Sequence, residues 1–108
     1  ASLYRCVYVA KDCMKTPVIH SNEYTVYLEN DFGFTFIHCD CERWTKRVKK
    51  ALIDDFEKLL MIHRKDIYAI HEIIDERHKK FLTITGFEYF KDFIGSDGIT
   101  RQIFVRRI

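Results

Sequence analysis

The stretch from Trp44 to Leu60 constrains this chain more than any other. Trp44, Val48, Ala51, Leu52, Phe56, Leu59 and Leu60 recur at helical spacing, so one long helix carries an apolar stripe that must lie against something. The flanking segments supply that surface. Glu23 to Glu29 alternates, with Tyr24, Val26 and Leu28 on one face and Thr25 and Tyr27 on the other, which is the period of a half-buried strand. Asn30-Asp31-Phe32-Gly33 supplies turn residues and Phe34 to Cys39 follows as a strand, completing a hairpin. Ile67 to Ile74 is apolar on both faces, which suits a strand at the centre of a sheet.

The remaining segments complete the order. Leu3 to Ala10, rich in Tyr and Val, reads as a further strand, and Pro17 breaks the path before the next segment. Asp40 is expected to cap the long helix, with Glu42 in its first turn. Asp75 caps a shorter helix in which His78, Phe81, Leu82 and Thr85 share one side, and Gly86 ends it in the left-handed conformation. Phe87 to Phe93 and Ile99 to Ile108 are closing strands around the turn Gly95-Ser96-Asp97-Gly98. The expected fold class is α/β in the α+β sense: a mixed, mostly antiparallel sheet with two helices, ordered βββαβαββ, in a single domain over residues 1–108. A ferredoxin-like sandwich fits the three leading strands less well.

Composition narrows the function classes. With 47% hydrophobic and 15% aromatic residues the chain can build a core, so it is not a disordered segment. Its longest apolar runs are a few residues, too short for a membrane span. No charged-then-apolar leader opens the chain, so a secretory signal is expected to be absent or already removed. Cys6, Cys13, Cys39 and Cys41 are expected to be reduced thiols in a cytoplasm. A net charge of +2 does not suggest a general polyanion binder and argues against an acidic DNA mimic. His38-Cys39-Asp40-Cys41 has Cys-x-Cys spacing without a second ligand pair at zinc-site distance, so no metal is expected.

Two groups of residues carry candidate chemistry. Arg43, Lys46, Arg47, Lys49 and Lys50 gather around the first turns of the long helix. The helix dipole disfavours cations there by a few tenths to about 1 kcal/mol each, and a bound anion reverses that cost. Phosphates are therefore natural guests; a solvated basic face, offset by Glu42 and the Asp54–Lys58 pair, is the plainer account. His71 and Glu72 lie near the end of the central strand and point to opposite faces. His71 is the catalytic candidate, as a general base on an amine, set against a histidine merely hydrogen-bonded near the sheet. Tyr89, Phe90 and Phe93 are expected to bury one face in the core; the alternative is an exposed strip that, with Arg101, Arg106 and Arg107 opposite, has the aromatic and arginine content of an interface.

From Phe34 onward the order of strand, long helix, strand, short helix and terminal hairpin resembles the second half of the GNAT N-acetyltransferase fold. His78, Phe81, Leu82 and Gly86 fit a pattern similar to that of GNAT-like proteins of short-tailed bacteriophages, an internal virion protein among them. The resemblance covers residues 34–108 and implies acetyl-CoA as cofactor, its pyrophosphate meeting Arg43, Lys46 and Arg47. It also implies action in the cytoplasm of an infected bacterial host or in the virion. The departures are specific. No glycine lies between Gly33 and Gly86, whereas the family opens its long helix with glycines that admit phosphate to backbone N–H groups. Leu82 stands where a tyrosine often serves as general acid, and Asp75 takes an asparagine position. The segment before Phe34 is short for the family's first two helices. The expected function is therefore a degenerate acyl-CoA site on a protein that binds a host or virion protein. The alternatives are an active N-acetyltransferase and nucleic-acid binding through the basic helix. No membrane association is expected.

Overall fold

The computed structural model describes residues 15–108, so the strand expected over Leu3 to Ala10 lies outside the described residues. The elements are β1 Thr16–His20, β2 Tyr24–Asp31, β3 Phe34–Cys41, α1 Lys46–His63, β4 Ile67–His71, α2 Glu76–Ile84, β5 Glu88–Ile94 and β6 Thr100–Arg106. They form a mixed α+β fold with a six-stranded sheet of order β1-β2-β3-β4-β6-β5. Every neighbouring pair is antiparallel except β3 with β4. The central place expected for the Ile67 strand holds. Pro17, expected to break the path, instead lies inside β1, where the register with β2 shifts between Pro17 and Ile19. A proline has no N–H for a ladder, and the last strand of a sheet tolerates that loss.

The β2–β3 hairpin closes on Phe32 and Gly33, with φ of 51° and 83°. Two left-handed residues give a turn whose hand matches the twist of the strands it joins. Parallel β3 and β4 cannot be joined so tightly, and α1 makes the crossover. The start of α1 corrects the sequence reading. Asp40 is still paired with Thr25 in the β2–β3 ladder, and the Glu42 N–H donates to the Glu23 carbonyl at 3.1 Å. Thr45 is the cap, its Oγ1 accepting from the Val48 N–H at 3.1 Å. The ladder outcompetes an early helix because Cys41 pairs with Tyr24 and is fully buried.

Val48, Leu52, Phe56, Leu59 and Leu60 of α1 join Leu82 of α2 and Tyr24, Val26, Cys41, Ile67, Ala69 and Phe104 of the sheet in one core. Both helices therefore cover the same face of the sheet. Each large side chain buried there stabilises the fold by roughly 1.5–3 kcal/mol.

The short helix α2 is bounded as its sequence predicts. Asp75 accepts from the His78 N–H at 3.0 Å. At the other end Gly86 takes φ 89°, the Phe87 N–H donates to the Leu82 carbonyl at 2.8 Å, and the Gly86 N–H donates to the Thr83 carbonyl at 3.1 Å. That is a Schellman motif, and Phe87, the residue after the glycine, stacks on Phe56 of α1 with centroids 5.4 Å apart. A Cβ at Gly86 would lie 2.7 Å from the Arg106 Nε, which itself donates to the Thr85 carbonyl at 3.1 Å. Gly86→Ala should cost about 2 kcal/mol, roughly half from left-handed backbone and half from displacing Arg106. Gly33→Ala, at φ 83° with nothing within 4 Å, should lose the backbone part alone. Urea midpoints of the two variants measure the difference; equal losses would remove Arg106 from the account.

Candidate functional site

Strands β3 and β4 share one register pair, Phe36 with Tyr68, and the remainder of β3 has no register partner in β4. In open α/β sheets the crevice beyond the carboxyl ends of parallel strands is where ligands bind. Here that region holds a cavity of about 70 Å³, bounded by Cys39, Ala69, Glu72, Asp75, His78 and Leu82 among others. It is smaller than the roughly 150 Å³ that admits a benzene ring.

Of the residues lining it, His78 is bonded to the histidine that ends β4. His71 ends β4 fully buried, and its Nδ1 lies 3.0 Å from the Nδ1 of His78, one turn into α2. Such a contact needs one ring to donate and the other to accept. The far side of the His71 ring meets Phe104 edge-on at 5.3 Å, and its Nε2 is buried without a hydrogen-bond partner among the described residues. Burial pushes His71 below the usual imidazole range, and pushes His78 down to about 4 with help from the neighbouring His71. The pair is therefore neutral at pH 7. The expected base is a buried ring bonded to a second histidine. Its neighbour Glu72 turns the other way and accepts from the Arg101 Nε, as strand alternation requires.

Cys39, on the cavity wall, has its thiol pushed up to about 12, first by burial. It is protonated at neutral pH and a poor nucleophile. Leu82 is 2% exposed and belongs to the core.

The basic residues sit at the start of α1, as expected, and Arg43, Lys46 and Arg47 are all exposed. Arg47 is already engaged: Nη1 donates to Glu23 Oε1 at 2.8 Å and Nη2 donates to Oε2. That bidentate pair lowers the Glu23 carboxyl and raises the Arg47 guanidinium. The Val48 N–H is taken by Thr45, so one of the donors a phosphate would use has an internal partner. Trp44, beside the cap, meets Phe81 of α2 edge-on at 5.4 Å and ties the two helices together.

The face of the sheet turned away from the helices carries a second, wider feature. Phe34, Phe36, Tyr68, Ile70, Phe90 and Ile103 line a groove of about 320 Å³, with Asp31 and Lys91 in its wall. Tyr68 organises it, meeting Phe34 at 4.9 Å, Phe36 at 6.0 Å and Phe90 at 5.7 Å between centroids. The reading of Tyr89, Phe90 and Phe93 as one strip is corrected: a bulge lies between Tyr89 and Lys91. Alternation alone sets Tyr89 against Phe104 on the helix side and Phe90 in the groove, and the bulge brings Phe93 to the groove beside Phe90.

Arg101 is corrected too. It is 5% exposed, held by Glu72 on one side and by both Asp97 oxygens at 3.0 and 2.7 Å on the other. The guanidinium holds the Asp97 carboxyl down at about 2. Arg106 and Arg107 are likewise committed, to the Thr85 carbonyl and to Glu88. A third buried contact joins His38 Nε2 to Glu29 at 2.7 Å. Sequence reading missed this pair, the Arg101 clamp and the His71–His78 contact, since each forms between residues on different elements.

The histidine pair makes a pH prediction. Its pKa values in the fold lie below the ordinary value near 6.5, so the fold prefers the neutral rings. Asp75, Glu76 and Glu72 favour the charged form of His71 and Lys79 opposes it, but burial leads. Stability is complete above the unfolded pKa and is lost as pH falls from about 6.5 toward 4. The pair should contribute roughly 2–3 kcal/mol of that loss. Urea unfolding of the native chain and of His78→Phe at pH 7 and pH 4.5 checks it: the variant should show the shallower fall, and parallel curves would refute the assignment.

No family model, curated protein or solved structure matches this chain.

Proposed function

We propose that this chain is a GNAT-like domain that has lost acyl-transfer chemistry and acts by binding another protein. The observation that carries the proposal is the closed crevice between β3 and β4. An acyl-pantetheine arm needs a channel there, and the cavity is about 70 Å³, walled by the protonated Cys39 thiol and the neutral His78 ring. The connectivity β3-α1-β4-α2-β5-β6, with the parallel pair at its centre, supports the GNAT reading. The start of α1 supports the loss of the cofactor site. Arg47 is bound by Glu23, Val48 is capped by Thr45, and the approach contains no glycine.

A protein partner is supported by the groove on the open face of the sheet. An exposed cluster of aromatic side chains is costly to leave in water and is common where proteins meet. The resemblance to phage proteins supports action in an infected bacterium or in a virion, on a host or virion protein.

Calorimetric titration with acetyl-CoA tests the reading. The chain should give no saturable heat up to millimolar ligand, and changing Arg43, Lys46 and Arg47 to alanine should alter nothing. Saturable micromolar binding abolished by that triple change would restore the N-acetyltransferase and end the proposal.

A further inference from the structure

The groove lies beside an open strand. Among the described residues β5 has no neighbour on its outer side, because the sheet ends there. The direction of its backbone groups follows from the turn that precedes β6. The Gly95 N–H donates to the Ile99 carbonyl at 3.0 Å. Stepping back two residues at a time along an antiparallel ladder, Phe93 and Lys91 are the residues bonded to Arg101 and Ile103. Asp92 and Ile94 therefore turn their N–H and C=O groups outward, to the edge that no other described strand covers. Backbone groups aimed outward in this way match the backbone of another extended chain.

The side chains on this edge indicate what that chain carries. Phe90 and Phe93 line the groove, Phe90 is 38% exposed, and Ile94 is 72% exposed. Lys91 reaches over Phe90 with its Nζ 5.7 Å from the ring centroid, so the groove wall nearest the edge is cationic. At the far end Phe32 stands 90% exposed at φ 51°, a conformation that costs a phenylalanine free energy and sets its ring beside the groove. A volume of about 320 Å³ suits one large side chain rather than a whole domain face.

We infer that β5 accepts an extended peptide strand from a partner protein. The strand bonds to Asp92 and Ile94, inserts an aromatic or large aliphatic residue into the groove, and sets a carboxylate against Lys91. The inference rests on the protein-binding reading above and names its surface. A second copy is disfavoured by charge: two β5 strands paired antiparallel about their middle residue set Lys91 against Lys91. A nucleic acid is disfavoured because Lys91 is the one cation in the groove lining, too few for a phosphate backbone.

The test uses the full chain, labelled with ¹⁵N, and a blocked hexapeptide in which two phenylalanines and a glutamate alternate with threonines. Amide exchange at Asp92 and Ile94 should slow by about tenfold or more at saturation, while Lys91 and Phe93, already bonded to β6, stay unchanged. Lys91→Glu should weaken binding about tenfold, and a peptide with lysine in place of glutamate should recover it. Absence of any shift along β5 at millimolar peptide, or shifts confined to the start of α1, would overturn the inference. So would slow exchange at Asp92 and Ile94 without peptide that is lost on dilution, which assigns the edge to a second copy. The acetyl-CoA titration is independent of these outcomes. A silent peptide removes this surface without reopening the cofactor site, and a bound cofactor ends the non-catalytic reading whatever β5 does.

Discussion

The seam between β3 and β4 is the contact on which the rest of the structure depends. Strands β1 to β3 form a meander and β5 with β6 a hairpin, each closed by short connections. β4 joins the two, with one parallel register pair on one side and an antiparallel ladder from Ile67 to His71 on the other. So short a parallel pairing is secured from both faces. On one face Ile67 and Ala69 are buried in the shared core with α1. On the other, Phe34 and Phe36 of β3 close on Tyr68 of β4, and Phe90 of β5 closes on the same ring. Aromatic pairs of this kind contribute about 0.5–1.5 kcal/mol beyond the area they bury. The groove is thus also a brace across the seam.

Past the register pair the strands have nothing to exchange, and the gap must be filled. His78 lines it and shares one hydrogen bond with His71, whose Nε2 has no partner among the described residues. A charged ring in that place would carry the desolvation of a buried ion. The same low-polarity surroundings that keep the rings neutral also keep the Cys39 thiol protonated. Groups that could act as base and nucleophile in water are held here in their inert forms.

Periodicity made most of the fold legible. The change from two-residue to helical spacing marks α1, the doubly apolar run marks β4, and Asp75 with Gly86 marks both ends of α2. The start of α1 was not legible, because Asp40 and Thr45 are both competent caps and pairing along β2 decides between them. Pro17 reads as a break wherever its strand's place in the sheet is unknown. The site was less legible. The sequence places His71 near the end of a strand read as far as Ile74, which in the structure stops at His71, and its partner sits on a helix whose docking depends on the core. Arg101 reads as a surface residue until β6 places it between Glu72 and Asp97. The bulge at Phe90 carries no signal of its own and brings Phe93 to the face that Phe90 occupies.

The two ends of the sheet are not equivalent, and that asymmetry limits how the molecule can assemble. The β1 end contains Pro17 and a slipped register, while β5 presents a regular outer run at Asp92 and Ile94. A filament of stacked sheets needs a receptive edge on both sides of every subunit, so that each addition regenerates the site for the next. Here an added strand occupies the regular edge and leaves behind the irregular one. Among the described residues, a strand added at β5 therefore does not regenerate its own site, and the backbone of β1 limits assembly as much as the chemistry of β5.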